Sequence, residues 1–481
     1  MRFFMSELTP ARGPRGKFNG WLHRLFDSEM FTTGDILRMF YPLMLDQFAI
    51  HLIMTLSTSL VSSVGQEALA AVSMVNTLSY VVTAVMFALS AGGGVIIAQA
   101  KGSGDEDRLH KAIATTAMIS SAVMLVLSIT LTALAGPIIE LLYPHAEPLL
   151  KEYAVHYMRL NMLTLWPFSI FHVIFTAFRS VGDSKSSLIL TLYINISHLL
   201  LSLLFINVLG MGVTGSGLSL IVARVIGAIV AMVWLFGPMG KLHMKPRAFL
   251  KLDKKMARPI LRLSIPFCAE QMLFEGGMVV VQGYLSTWGD TPEMSTMALA
   301  AHAVASSLVS LYQATGYCIT QMTSTVCGQC IGAEKIDLCK RYNQSIIKGG
   351  NLIYLITVLV LFPLTPLLMK LYNPNPDALG MIYVMLMVGV FPMPLIWCKS
   401  FVTSTTMCAA GDVKFATYVS FVVMLIGRMA LGYVLTITLN LGPVGIFIGM
   451  LVEWLLRIPA VEWRYRSGKW LNFLKQEKAA G

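Results

Sequence analysis

Long apolar runs, each bounded by a few polar or basic residues, follow one another from Ile36 to Trp463. Runs of about 20 residues match the hydrocarbon thickness of a bilayer. Their repetition predicts twelve helices, at 36–63, 68–98, 112–139, 153–178, 187–209, 213–236, 259–284, 297–329, 346–371, 380–408, 415–439 and 443–463. The connections between them are short, which leaves no room for a soluble catalytic domain. The first run exceeds 20 residues without a small-residue cleavage site, so it reads as a retained span and not as a signal peptide.

Composition supports an integral membrane protein: 56% of the 481 residues are hydrophobic, 13% are charged, and the mean hydropathy is +0.69. The net charge of +11 changes the picture only through its placement. With alternating helices, one side collects Arg12, Arg15, Lys17 and Arg24, the connections with Lys101, Arg108, Arg179 and Lys335, the run KLHMKPRAFLKLDKKMARPILR and the basic C-terminal tail. The other side holds little beyond Lys151, Arg159 and Lys370. By the positive-inside rule both termini are expected in the cytoplasm and the chain in the inner or plasma membrane, with no nucleic-acid partner.

Candidate chemistry adds little of the enzymatic kind. The chain has no HExxH, GxSxG or P-loop, so no enzyme and no cofactor is expected. All seven cysteines lie between Cys268 and Cys408, and only CGQC at 327–330 forms a close pair, so they read as small buried residues without a disulfide or metal role. His172, His198 and His302 show no metal-like spacing and read as packed histidines.

The chain contains itself twice. ILRMFYPLMLDQ at 36 and ILRLSIPFCAEQ at 260 share one frame at an offset of 224. ALAA at 68 and 298, Gln99 and Gly102 with Gln329 and Gly332, and Gly212 and Gly215 with Gly442 and Gly445 all follow at an offset of 230. Pro167 answers Pro392, and VGD at 181 answers AGD at 410. Each copy carries six helices, so the copies share one orientation and are related by an axis along the membrane normal. The expected fold is therefore all-α, with twelve transmembrane helices in two pseudo-twofold-related six-helix bundles. The predicted parts are a cytoplasmic tail at 1–34, a first bundle at 35–238, a basic linker at 239–258, a second bundle at 259–465 and a tail at 466–481. Two facing bundles enclose a cleft that rocking opens to either side, which suggests a secondary transporter.

The segments VGQEALAAVSMVN, FTAFRSVGDSK, VCGQCIGAEK and GRMALGYVLTITLNLGPVGI, in that order, carry a resemblance to the multidrug and toxic compound extrusion (MATE) family over about residues 30–465. The resemblance implies efflux of organic, often cationic, compounds in exchange for protons or sodium ions, by a monomer in the lipid bilayer. The chain departs from relatives at three acidic positions, which read Ser57, Trp397 and, near the retained Asn195, Leu199.

Two carboxylates stand inside apolar helices. Asp46 lies eight residues past Arg38, about 12 Å deeper along a helix, too deep to reach the headgroups. Glu270 repeats that placement eight residues past Arg262. An ionised carboxylate at the centre of a membrane helix costs about 3 kcal/mol on insertion scales, so both acids are expected to flank the cleft, one from each bundle. Pro42 and Pro266, four residues earlier, free a carbonyl and permit bending. The candidate ion-coupling and substrate residues are Asp46, Glu270, Gln47, Gln271, Ser57, Asn76, Asn195, Trp397 and Lys399. Ser57 shares a helical stripe with Asp46, and the amides and hydroxyls are possible oxygen ligands. Trp397 and the basic Lys399 come from the tenth helix.

Glu275 and His51 stand five residues past the two acids and are expected to turn towards neighbouring helices, Glu453 and Arg457 are expected to pair at i and i+4, and Arg428, which matches an arginine of the MATE pattern in helix 11, is implied by that resemblance to anchor structure. Proton and cationic cargo competing for one carboxylate is what an antiporter requires. Sodium would need several oxygens around the acid, and the proton is the favoured ion. The alternative reading is a flippase for a lipid or lipid-linked sugar, which would want a cationic cleft. Beyond Arg224, Lys399 and Arg428 the spans offer few such charges.

Overall fold

The computed structural model describes residues 14–62, 66–144, 147–238, 240, 242–249, 253–372, 374–472 and 474, and at 14–18, 51–62, 66–70, 247–248 and 371 the backbone alone. Among these residues there is no strand. A surface helix, α1 (Pro14–Phe26), leads into the first bundle. That bundle contains α2 (Thr33–Ser62), α3 (Gln66–Gly102), α4 (Glu106–Ala133), the short α5 (Ala135–Leu142), α6 (Pro148–Leu163), α7 (Leu165–Ser180), α8 (Ser184–Ser202) and α9 (Gly212–Phe236). The linker holds one turn, α10 (Pro246–Phe249). The second bundle repeats the order as α11 (Lys254–Ser286), α12 (Pro292–Gly332), α13 (Ile336–Leu361), the short α14 (Thr365–Tyr372), α15 (Leu379–Val390), α16 (Met393–Ala409), α17 (Val413–Val423) and α18 (Pro443–Arg466).

Eight helices are long and apolar enough to cross a membrane alone, and two bent pairs form further spans. The proline-bearing α2 and α11 complete twelve. The helices predicted at 153–178 and 380–408 are each such a pair, α6 with α7 bent by 43° and α15 with α16 by 51°. Pro167 and Pro392 explain the breaks, because each removes a hydrogen bond to the carbonyl four residues earlier and crowds it. The ends of the fifth and eleventh spans widen into π-helix at Leu203–Val208 and at Met424–Leu431 with Val434–Thr438. Each then turns through equivalent left-handed residues, Gly210 and Asn440, then Gly212 and Gly442.

Three connections on the face that carries the basic residues, here the basic face, use one chemistry, whereas the one between α12 and α13 turns through left-handed Glu334. A left-handed glycine ends one helix and an aspartate opens the next, at Gly104-Asp105, Gly182-Asp183 and Gly411-Asp412. Asp105 and Asp183 each accept a hydrogen bond from the amide three residues on.

The bundles exchange their leading helices near that face. Ile36, Met39, Phe40 and Leu43 of α2 are buried in the core of the second bundle, whereas Ile260 and Leu263 of α11 are buried in a core of the first. The hydrophobic driving force therefore joins the bundles there as firmly as it builds each of them.

Candidate functional site

Asp46 lies on α2 about four turns from its start and is fully buried. Its Oδ2 sits 2.7 Å from Nη2 of Arg179, the penultimate residue of α7. The guanidinium also covers the ring of Phe175, 4.4 Å from its centroid. Thr191 and Gln47 approach the carboxylate as side-chain donors, and among the described residues Oδ1 is buried without a well-formed hydrogen bond. Asp46 is thus half of a buried ion pair inside the first bundle.

Glu270 occupies the repeat-related place on α11 with different company. It is half-buried, and the hydroxyl of Ser420 donates to Oε1 at 2.6 Å. At the offset of 229 that relates VGD to AGD, Thr191 becomes Ser420 and Arg179 becomes Cys408. Cys408 stands close to Glu270, so the geometry repeats while the cation does not. A groove of about 660 Å³, lined by Pro266, Ala269, Leu273, Lys414, Thr417 and Tyr418 but by neither Glu270 nor Ser420, runs between α11 and α17.

The remaining candidates scatter. Gln47 is half-buried beside Asp46, and Gln271 is exposed. Asn76 is half-buried on α3, while Asn195 donates to the carbonyl of Thr191 at 2.9 Å. Trp397 is in the core of the second bundle and not on a cleft wall. It is 4% exposed, stacked on Phe401 with centroids 4.6 Å apart, and packed against Tyr354. Lys399, two residues on, is exposed. The side chains of Ser57 and His51 lie outside the described residues. Glu453 lies 2.8 Å from Nε of Arg428 and 3.5 Å from Arg457, so the internal pair is a buried triad. His172 meets the hydroxyl of Ser90 at 2.9 Å.

Residues that sequence reading left unassigned close the basic face. Gln99 on α3 donates to the carbonyl of Ala409 at 2.7 Å, and Gln329 on α12 donates to that of Ser180 at 2.9 Å. Each amide crosses to the other bundle, and the two bonds are related by the repeat. Gly102 packs on the backbone of Gln329 and Gly332 on that of Gln99, so closely that a Cβ at either glycine would strike the opposing backbone. Thr325 adds a hydrogen bond to the carbonyl of Arg179 at 3.0 Å. On the same face the single O–H of Tyr342 of α13 lies within hydrogen-bonding distance of the carbonyls of both Phe26 and Phe31, and Ser345 donates to that of Leu25, strapping the N-terminal segment to the second bundle.

Towards the other face the walls are aromatic and open. Tyr80 of α3 and Tyr317 of α12 are each 50% exposed, and Phe87 is 43% exposed. Glu275 stands within electrostatic reach of both tyrosines and has no ion pair or hydrogen bond among the described residues. The only signal for this arrangement was its place five residues past Glu270.

A cleft closed at one end by a repeat-related seam and lined elsewhere by aromatic side chains invites comparison with known transporters. The MatE family model matches the chain twice, at residues 42–204 and 266–434, once in each bundle. The chain belongs to the MatE family. Among relatives of this MatE chain, the probable multidrug resistance protein YoeA of Bacillus subtilis is 24% identical over 394 residues, covering 80% of this chain and 82% of YoeA. The probable multidrug resistance protein NorM of Thermotoga maritima is 24% identical over 439 residues, covering 86% and 88%. In three dimensions it is similar to a MOP superfamily transporter from Pyrococcus furiosus, with a TM-score of 0.80 at 21% identity, covering 91% and 96%. An outward-facing multidrug resistance MATE transporter gives 0.79 at 21% identity, covering 90% and 96%. The chain is therefore a multi-pass membrane transporter of a multidrug-efflux family.

Proposed function

We propose that this MatE transporter exports small organic compounds, cationic or amphipathic, in exchange for protons by alternating access. The basic face is read as cytoplasmic, and the structure is then of the state open to the opposite side. The observation that carries the exchange is the pair of repeat-related carboxylates with unequal partners. Asp46 is held by Arg179. Glu270 keeps a hydroxyl contact and partial exposure. A carboxylate with no fixed cation can hold either a proton or a cationic cargo, and loading one favours release of the other.

The cleft also suits such cargo. Glu275 between half-exposed tyrosines offers a charge and aromatic faces, the pairing that attracts organic cations. The proton fits better than sodium because Glu270 has one hydroxyl beside it, whereas a sodium site requires a shell of oxygens. The buried arginines support export over headgroup flipping: Arg179 and Arg428 are paired with Asp46 and Glu453, and Arg224 covers the Phe168 ring.

Dye efflux from right-side-out vesicles of a pump-deficient bacterium tests the reading. Efflux should follow an imposed proton gradient and be indifferent to sodium. Efflux that follows sodium alone would remove the proton, and lipid scrambling without dye movement would favour the flippase.

A further inference from the structure

Arg179 takes part in two relationships at once. Its guanidinium holds Asp46, and its main-chain carbonyl receives the Thr325 hydroxyl from the opposite bundle. The next carbonyl, of Ser180, receives Gln329. The end of α7 thus carries both bonds from α12, and the Arg179 side chain ties it to α2 by an ion pair. The repeat-related seam lacks this linkage: Cys408 stands in place of Arg179, and Val95, without a hydroxyl, in place of Thr325. Among the described residues its side-chain hydrogen bond across the seam is that of Gln99 to the carbonyl of Ala409.

We infer that Arg179 is a positioning residue that ties the ionisation of Asp46 to closure of the basic face. With Asp46 ionised, the guanidinium is anchored and the end of α7 presents its carbonyls to Thr325 and Gln329. The proton arrives on Oδ1, the oxygen without a well-formed hydrogen bond among the described residues. A neutral carboxyl leaves Arg179 as a buried cation lacking its counter-charge, which a low-dielectric site does not tolerate. The side chain must then move to water, α7 follows at its end, and both cross-bundle bonds to α12 weaken. Protonation of Asp46 thereby releases the closed side.

The groups facing this pair are few. The charged and titratable neighbours of Asp46 are Arg179 from α7 and Cys318 from α12, with uncharged Thr191 from α8 and Gln47 on its own helix, and His172 faces Arg179. Cys318 donates to the carbonyl of Leu43 at 3.3 Å. The assignment rests on the alternating-access reading above but not on the cargo.

Hydrogen exchange of the purified full chain at pH 8 and pH 5.5, corrected for intrinsic rates, provides the test. In the wild type, amides of residues 322–335 should exchange at least about tenfold faster at pH 5.5, as local opening predicts. Asp46→Asn should exchange fast at both values, Arg179→Lys should retain slow exchange at pH 8, and Glu462→Gln, in the surface pair with Arg466, should keep the wild-type response. Thr325→Val removes the far end of the linkage without touching the ion pair, and should be fast at both values. Exchange in Asp46→Asn that matches the wild type at both pH values overturns the inference, as does a wild type indifferent to pH. Exchange requires no cargo, so a chain that opens with pH but moves no dye would defeat the proposed function and leave this linkage standing.

Discussion

Gln99 and Gln329 reach past one another in opposite directions, each donating its side-chain amide to the last turn of a helix in the other bundle, at 2.7 and 2.9 Å. Both stand three residues before a glycine, Gly102 and Gly332, whose missing side chain lets the two helix ends touch through their backbones.

Adding a methyl group at Gly332 should therefore separate the bundles at this seam. Gly332→Ala is expected to cost about 1–3 kcal/mol, as overpacking does. The variant should label faster than wild type with a water-soluble thiol reagent at Cys330, which is buried in the wild type. Unchanged labelling would show that the seam is not closed by this contact.

The triad of Arg428, Glu453 and Arg457 makes a stability prediction. Removing the shared carboxylate leaves two buried guanidinium groups without a counter-charge, so Glu453→Ala should lose about 3–5 kcal/mol. A large fall in the thermal midpoint of the detergent-solubilised protein would show it. Replacing the exposed Glu462, paired with Arg466 at the surface, should change stability by less than about 1 kcal/mol.

Trp397 separates packing from cargo contact. Trp397→Ala should destabilise the second bundle by about 3–5 kcal/mol through lost core volume, and Trp397→Phe should recover most of it. Neither change should shift the pH at which transport is half-maximal. A shifted midpoint with unaltered stability would place Trp397 in the coupling site instead.

The N-terminal strap should be insensitive to mild acid. Burial pushes the Asp27 carboxyl up, but the amide and hydroxyl of Thr33, with His23, outweigh it and hold the group below the usual carboxylate value. A lowered folded pKa means this contribution is present above about pH 4 and is lost only as the pH falls further. Exchange protection of residues 336–346 should persist at pH 5.5, in contrast to residues 322–335. Loss of both together at that pH would mean the strap and the seam open as one unit.

Much of the fold was legible because the chain says the same thing twice. The frame beginning at Ile36 and Ile260 placed the two acids in equivalent positions, and the match of Gln99 and Gly102 with Gln329 and Gly332 marked the seam before its role was visible. Proline positions showed where spans could bend, though not that Pro167 and Pro392 divide theirs into two helices. The partner of Asp46 was not legible. Arg179 lies 133 residues away, and it read as one more positive charge on the basic side. Which side of a helix an aromatic residue presents to a cleft is also invisible to a period shared by core and cleft, so Trp397 looked like cargo contact when it is core. Glu275 had the opposite fate, because a helical angle relative to Glu270 does not reveal that tyrosines from both bundles converge there.

The most direct test is counter-movement in sealed proteoliposomes, with a pH dye inside and a fluorescent organic cation outside, without sodium. Adding the cation should make protons move in the opposite direction at a fixed ratio, Glu270→Gln should abolish that movement, and Ser420→Ala should weaken it. Cation transport at the wild-type rate in Glu270→Gln, with proton movement intact, would contradict the account.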